Sequence, residues 1–342
     1  MKSLNQNTQK TKNINLGIQI LRMLMSFWVV LNHCYKTKNK KLINIIFKHK
    51  FHIPCFIIIS FYFLNANLSN RKIEKINYRL ERLLIPYIIY PIIYWIFNNS
   101  LYKLFNFNRL SFVQLLTQLL IGRPFYGVIW FQFNLILLTI AFFIISFIFK
   151  TNYLFILQLF GIFAYIFQYS KLNYIFFNQY NDAIKFSVGY IVETIPLAIT
   201  GITISSIDLI NKIKINKIKC FIFSLLFIFM LFKYDIFTSI NGFGKQGLMH
   251  NVGGLTFFIL FSLFNLNNYK NNKVKEIIIH FTNFTAGIYF LHIVVYKILK
   301  HFINLVKTKT LFGCIIIYLT SYLICFICHK KFRKTKLIYL FN

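Results

Sequence analysis

The chain has 342 residues, 57% of them hydrophobic and only 13% charged, with a mean hydropathy of +0.60. These proportions exclude an ordinary soluble globular protein and an intrinsically disordered one, and they point to a polytopic membrane protein. The formal charge of +32 comes from 39 Lys and Arg against 7 acids; the lysines fall in short loops between apolar runs, so anionic membrane lipids rather than nucleic acid are the expected counter-charge.

Apolar runs long enough to cross a bilayer occur near 16–35, 51–68, 83–98, 128–149, 153–169, 186–205, 218–233, 251–267, 284–303 and 311–329. The expected fold is all-α, with about ten transmembrane helices in a single membrane-embedded domain spanning 1–342. Residues 1–15 and 330–342 form basic tails, and no linker, internal repeat or cleavable signal peptide is expected. With ten helices the termini share a side that holds about 21 Lys and Arg against about 17 on the other, a weak bias toward cytoplasmic termini; the expected location is the inner (plasma) membrane.

The first run carries Arg22 and His33. Their 11-residue separation is about 1,100°, within about 20° of three full turns, and about 16 Å along the axis, so both lie on one face. Asn15, Gln19 and Ser26 fall on the same arc. A cation and an imidazole on one side of a membrane helix do not face lipid, so this stripe is expected to face protein or a wet cavity. In the third run Arg79 and Arg82 stand near the start, on the same cytoplasmic side as Arg22. Guanidinium forks suit phosphate oxygens better than ammonium groups do, which makes a phosphate-bearing cytoplasmic ligand the expectation for these three arginines.

Further along, Trp130 opens the fourth run, either as an interface aromatic or as a stacking surface. Glu193 in the sixth is a carboxylate inside a membrane run and is a candidate to orient a histidine or arginine. The ninth run has a polar stripe of Thr285, Tyr289, His292, Tyr296 and Lys300, from which Tyr289 and His292 are candidates for substrate positioning. Of the other histidines, His250 with Gly253 and Gly254 falls in an expected loop before the eighth run. The six cysteines lie in or beside apolar segments and read as buried small hydrophobes, so no metal site is expected. No phosphate-binding glycine loop is present, which argues against ATP-driven transport.

Together these residues resemble acyltransferase family 3, a family of integral-membrane O-acyltransferases. The resemblance rests on an ordered set: Arg22 with His33 ten intervening residues later, IPCFIIISFYFL ending near Ser60, YRLERLLIPY with Arg79 and Arg82 before Pro86, IWFQFNLIL around Trp130, and AGIYFLHIVVY with Tyr289 and His292. Two departures stand out: Phe61 replaces a glycine after the second-helix serine, which questions close helix packing there, and Val128 replaces a histidine two places before the tryptophan.

What the resemblance implies is transfer of an acyl group, most often acetyl, from acyl-coenzyme A to a hydroxyl of a cell-surface polysaccharide or lipid-linked glycan. Acetyl-CoA is then a donor substrate, with no cofactor bound permanently. In that reading His33 is the general base or the site of an acyl-imidazole, Arg22, Arg79 and Arg82 bind the donor's phosphates, and Ser60, Trp130, Glu193, Tyr289 and His292 position substrate. The rival expectation is a transporter or flippase of a lipid-linked sugar, for which the chain lacks the paired, interrupted repeats such proteins show.

Overall fold

The computed structural model describes residues 15–35, 51–100, 111–121, 129–169, 182–212, 243–263 and 272–341, with 218, 221, 222 and 224–226 in addition. Eleven principal helices follow in order: α1 (Leu16–Cys34), α2 (His52–Ser69), α3 (Ile73–Ser100), α4 (Phe112–Ile121), α5 (Ile129–Phe149), α6 (Tyr153–Tyr169), α7 (Asp182–Ser206), α8 (Phe243–Leu263), α9 (Asn272–Asn283), α10 (Thr285–Leu299) and α11 (Leu311–Phe332). There is no strand among the described residues. In a hydrocarbon medium a helix satisfies every interior backbone donor and acceptor within its own segment, which is why uniformly apolar runs take this form. At the ends side chains take over: the Asn15 side chain accepts from the Ile18 N–H at 3.3 Å, and Thr310 accepts from Gly313 N–H at 3.1 Å.

The chain is a membrane protein; among the described residues four to five candidate spans are found, and the expected ten are not confirmed. Leu16–Cys34, His52–Ser69, Trp130–Phe167 and Leu311–Phe332 are long and apolar enough to cross a bilayer, and α9 with α10, bent by 55°, makes a fifth if the pair is one span. The run expected at 83–98 belongs to the 28-residue α3, which starts at Ile73 and includes Glu74, Arg79, Glu81 and Arg82. That expected at 284–303 is the 15-residue α10, set off from α9 at Phe284. The stretch from Trp130 to Phe167 holds two expected runs, α5 and α6; Lys150 between them adopts φ 44°, and α6 packs back on α5. Most of the run at 218–233, including Cys220, lies outside the described residues.

At the centre of the bundle, α1 packs against α2, α8, α9, α10 and α11. Ile18, Leu21, Met25, Val29 and Val30 of α1 are buried, whereas Leu24 is exposed. The outer helices are different. Phe147, Ile148, Phe155, Ile162 and Phe163 of α5 and α6 are exposed large apolar groups, which is what a lipid-facing surface requires.

Close helix approach in α2 comes from an unexpected residue. With Phe61 in place of a glycine, that position is filled: Phe61 is fully buried, with its ring 5.4 Å from Phe142. The small residue lies across the interface instead, because a Cβ on Gly201 of α7 would come within 2.5 Å of the Ile58 carbonyl oxygen in α2. A similar logic explains two glycines expected to line a loop. His250, Gly253 and Gly254 lie in α8, and a Cβ on either glycine would strike Phe51 or Pro54 at 2.3 Å. The His250 side chain is outside the described residues.

The basic stretch after residue 330 completes α11 and turns back at Lys336–Leu340. Leu340 and Phe341 are buried there, Tyr90 of α3 donates to the Leu340 carbonyl, and the Lys336 ammonium meets Glu81 at 2.9 Å.

Candidate functional site

Most polar residues of the α1 stripe meet a neighbouring helix. Asn15 donates to the Ser262 carbonyl of α8 at 2.8 Å, Ser26 meets the Tyr318 hydroxyl of α11 at 3.1 Å, and the His33 ring lies 5.2 Å from that of His292 in α10. Between them Arg22 donates through Nη1 to Gln19 Oε1 at 3.1 Å and through Nη2 to Thr285 Oγ1 at 3.3 Å. The stripe thus faces protein over most of its length; Ser26 is fully buried, whereas His33, at the helix end, is exposed. Because Arg22 pairs with Thr285 and His33 with His292, α1 and α10 run in the same sense along this seam.

Arg79 is held still more firmly. Its Nη2 donates to Ser60 Oγ at 2.7 Å, Nη1 to the Ser60 carbonyl at 3.1 Å and Nε to Thr139 Oγ1 at 3.1 Å, while Cζ lies 5.4 Å from the centre of the Phe61 ring. A planar five-donor fork is the side chain suited to such a three-way clasp. The helix start at Ile73 places Arg79 about two turns inside α3 rather than at its entrance. Ser60, expected to position substrate, here orients an arginine.

Arg82 is exposed, over the Tyr78 ring at 5.8 Å, and near enough for its charge to act on both Arg22 and Arg79. Among the described residues no carboxylate pairs with any of the three. The hydrogen-bond partners of Arg22 and Arg79 are hydroxyls, a side-chain amide and a backbone carbonyl, which orient a guanidinium without cancelling its charge. Three cations without a carboxylate partner among the described residues, gathered at one end of the seam, have the chemistry that suits an anion.

At the other end lies a chain of rings. Trp130 of α5 is buried and stacks on Tyr190 of α7 with centroids 4.0 Å apart; its neighbour Phe131 lies 5.7 Å from Tyr289 of α10, and Tyr289 is 6.4 Å from His292. Trp130 is therefore part of an internal aromatic wall, in place of the interface role open to it in sequence. Glu193 is exposed, nearly one turn beyond Tyr190, and its charge acts on that tyrosine. His292 is fully buried, and its Nδ1 lies 3.2 Å from the Ile288 carbonyl.

The predicted residues thus divide into two groups. Arg22, Arg79, Arg82 and Ser60 gather at one end, and His33, His292, Tyr289 and Trp130 at the other, joined by one face of α1. Sequence reasoning misses Thr139, Tyr190 and Tyr318, and it passes over Gln132 and Asn134. The signal for the last two is present, as amides inside an otherwise apolar helix: Gln132 donates to the Leu83 carbonyl at 2.9 Å, while Asn134 Nδ2 is buried with no hydrogen-bond partner. Cys34, Cys55, Cys314 and Cys325 are buried free thiols, and among the described residues no group of three His, Cys, Asp or Glu side chains is placed to hold a metal.

Comparison with known proteins adds one result. The family model described as an acyltransferase domain, that of acyltransferase family 3, matches residues 15–330, nearly the whole chain. No curated protein and no solved structure matches.

Proposed function

The chain belongs to acyltransferase family 3 and is a membrane acyltransferase, and we propose that it moves an acyl group, acetyl in the simplest case, from acyl-coenzyme A to a hydroxyl of a cell-envelope polysaccharide or lipid-linked glycan. The observation that carries this reading is the division of one seam into a cationic end and an imidazole end. Among the described residues Arg22, Arg79 and Arg82 have no carboxylate partner, and they suit the phosphates of a nucleotide-bearing donor. From Arg22 to His33 the distance along α1 is about 16 Å, comparable with an extended pantetheine arm. A donor anchored by its phosphates therefore presents its thioester at His33.

The chemistry follows from that placement. His33 is the general base: as the acceptor hydroxyl oxygen attacks the thioester carbonyl, an imidazole nitrogen takes the hydroxyl proton. Collapse of the tetrahedral intermediate breaks the carbon–sulfur bond, and the departing thiolate receives that proton, giving the ester and free coenzyme A. Tyr289 and the Trp130–Tyr190 stack form an aromatic wall suited to a sugar face. In the orientation given by the cation bias the arginine end is cytoplasmic and the histidine end outward, in an inner-membrane protein crossing the bilayer about ten times. Acyl groups then cross the membrane on the donor's arm while the nucleotide stays inside.

The test is mass spectrometry of envelope glycans from cells with and without the gene, paired with release of free thiol from acetyl-CoA by the purified protein. The expected result is an acyl mass increment that disappears in the deletion and in His33→Ala. A chain that releases no thiol in the presence of its glycan acceptor overturns the proposal.

A further inference from the structure

The surroundings of His292 determine which of its nitrogens holds the proton. Nδ1 lies 3.2 Å from the Ile288 carbonyl oxygen. A carbonyl only accepts, so the hydrogen is assigned to Nδ1, and in the neutral ring Nε2 presents a lone pair. The side chain has 0% exposure, and Nε2 has no hydrogen-bond partner. Leaving a buried acceptor without a donor is costly, so a donor is expected at some stage of the working cycle. The neighbouring imidazole is that of His33, with ring centroids 5.2 Å apart and planes at 44°.

We propose that His292 is a positioning residue for His33, its Nε2 accepting a hydrogen bond from the protonated ring nitrogen of His33 and so leaving the other nitrogen of His33 unprotonated toward the acceptor hydroxyl. At this ring separation a side-chain rotation of His33, which is exposed at its helix end, closes the bond; hydrogen bonds of this kind commonly tighten only when substrate is bound. After His33 takes the hydroxyl proton, its second N–H remains on His292 Nε2, and the bond becomes charge-assisted as the imidazolium forms. A carboxylate fills the corresponding place in serine-hydrolase triads. Within a membrane protein a neutral imidazole does the orienting without burying an anion beside the base. The Nδ1–Ile288 bond keeps His292 in the required tautomer, so the helix backbone itself sets the direction of the relay.

This inference rests on the reading of His33 as general base, and the experiment separates the two. Purified wild-type, His292→Phe, His292→Gln, His33→Ala and the His33→Ala/His292→Phe double variant are assayed for acyl-CoA-dependent transfer, alongside thermal unfolding in detergent. Phe keeps the ring volume and removes the lone pair, whereas Gln restores an acceptor oxygen. The expected result is a kcat reduced 10- to 100-fold in His292→Phe with KM for acyl-CoA and unfolding temperature retained, partial recovery of kcat in His292→Gln, and no additional loss in the double variant over His33→Ala. Equal kcat in wild type and His292→Phe, or a further loss in the double variant, overturns the positioning role while leaving the acyltransferase reading standing. If the wild type shows no acyl-CoA-dependent transfer, the functional reading fails first and this one with it.

Discussion

Arg79 and Ser60 form a double contact, side chain to side chain at 2.7 Å and side chain to backbone at 3.1 Å, that ties α3 to α2. Because the partners of this guanidinium among the described residues are neutral, its charge stays available to an anion. Ser60→Ala removes the shorter bond and leaves the carbonyl and Thr139 contacts; with a hydrogen bond to a charged group worth about 1.5 to 3 kcal/mol, KM for acyl-CoA is expected to rise about tenfold or more. Arg79→Lys keeps the charge but cannot reproduce the three-way clasp, and it is expected to cost at least as much. Steady-state kinetics at varied acyl-CoA decide the matter: an unchanged KM in Arg79→Lys removes this residue from the donor site.

The two ends of the α1 stripe are expected to differ in kinetic signature. Arg22 serves binding in this scheme, so Arg22→Ala raises KM for acyl-CoA with a smaller change in kcat. His33 serves the proton transfer, worth typically 10²- to 10⁴-fold in general-base catalysis, so His33→Ala lowers kcat by about that factor and leaves donor affinity intact. Donor binding measured directly, by competition with a non-transferable thioether analogue, distinguishes the two. If His33→Ala abolishes binding as well, the imidazole end is part of the donor site.

Much of the helical layout is legible in the apolar runs, since α1 at Leu16–Cys34 and α2 at His52–Ser69 lie within two residues of their expected limits. The start of α3 is not, because a search for apolar runs begins where charges end, whereas Glu, Lys and Arg are good helix formers and the helix extends back through them to Ile73. Arg22 and His33 are conspicuous because ionisable groups are costly in an apolar segment. Thr139, Tyr190 and Tyr318 are inconspicuous for the opposite reason: hydroxyls and aromatic rings are common in membrane helices, and their use depends on which helix lies opposite. The glycine that closes the α2 interface is legible only as a small residue in the sixth run; that it faces Ile58 is a property of the packing.

Gly201 provides a stability prediction independent of catalysis. An added Cβ meets backbone, the Ile58 carbonyl at 2.5 Å and the Tyr62 nitrogen at 3.0 Å, so nothing flexible can move aside. Gly201→Ala is expected to cost about 1 to 3 kcal/mol, the range for overpacking a close interface, and Gly201→Val more. In Gly161→Ala the nearest atoms the new one meets belong to the Ile199 side chain, at 3.1 Å, and the loss is expected to be smaller. Thermal unfolding in detergent compares them; equal stability of Gly201→Val and wild type would show that α2 and α7 do not approach as described.

At the C-terminal return, packing and charge make different contributions. Lys336 meets Glu81 at 2.9 Å, but the ammonium is fully exposed, so the pair is screened and Lys336→Met is expected to leave unfolding unchanged. Its pKa is raised above the ordinary lysine value by the Glu81 hydrogen bond. A raised pKa gives stability that is fully present below the unfolded value and lost only as pH climbs through the folded one, so no change is expected between about pH 6 and 9, below the ordinary lysine range. Leu340 and Phe341 behave otherwise, since they are buried and a Cβ on Gly287 would come within 3.0 Å of the Phe341 Cα. Truncation after Arg333 exposes the α3 and α10 surfaces they cover and is expected to lower the unfolding temperature clearly, at any salt concentration. Were the truncated chain as stable as wild type, Leu340 and Phe341 would not be what holds this end of the bundle together.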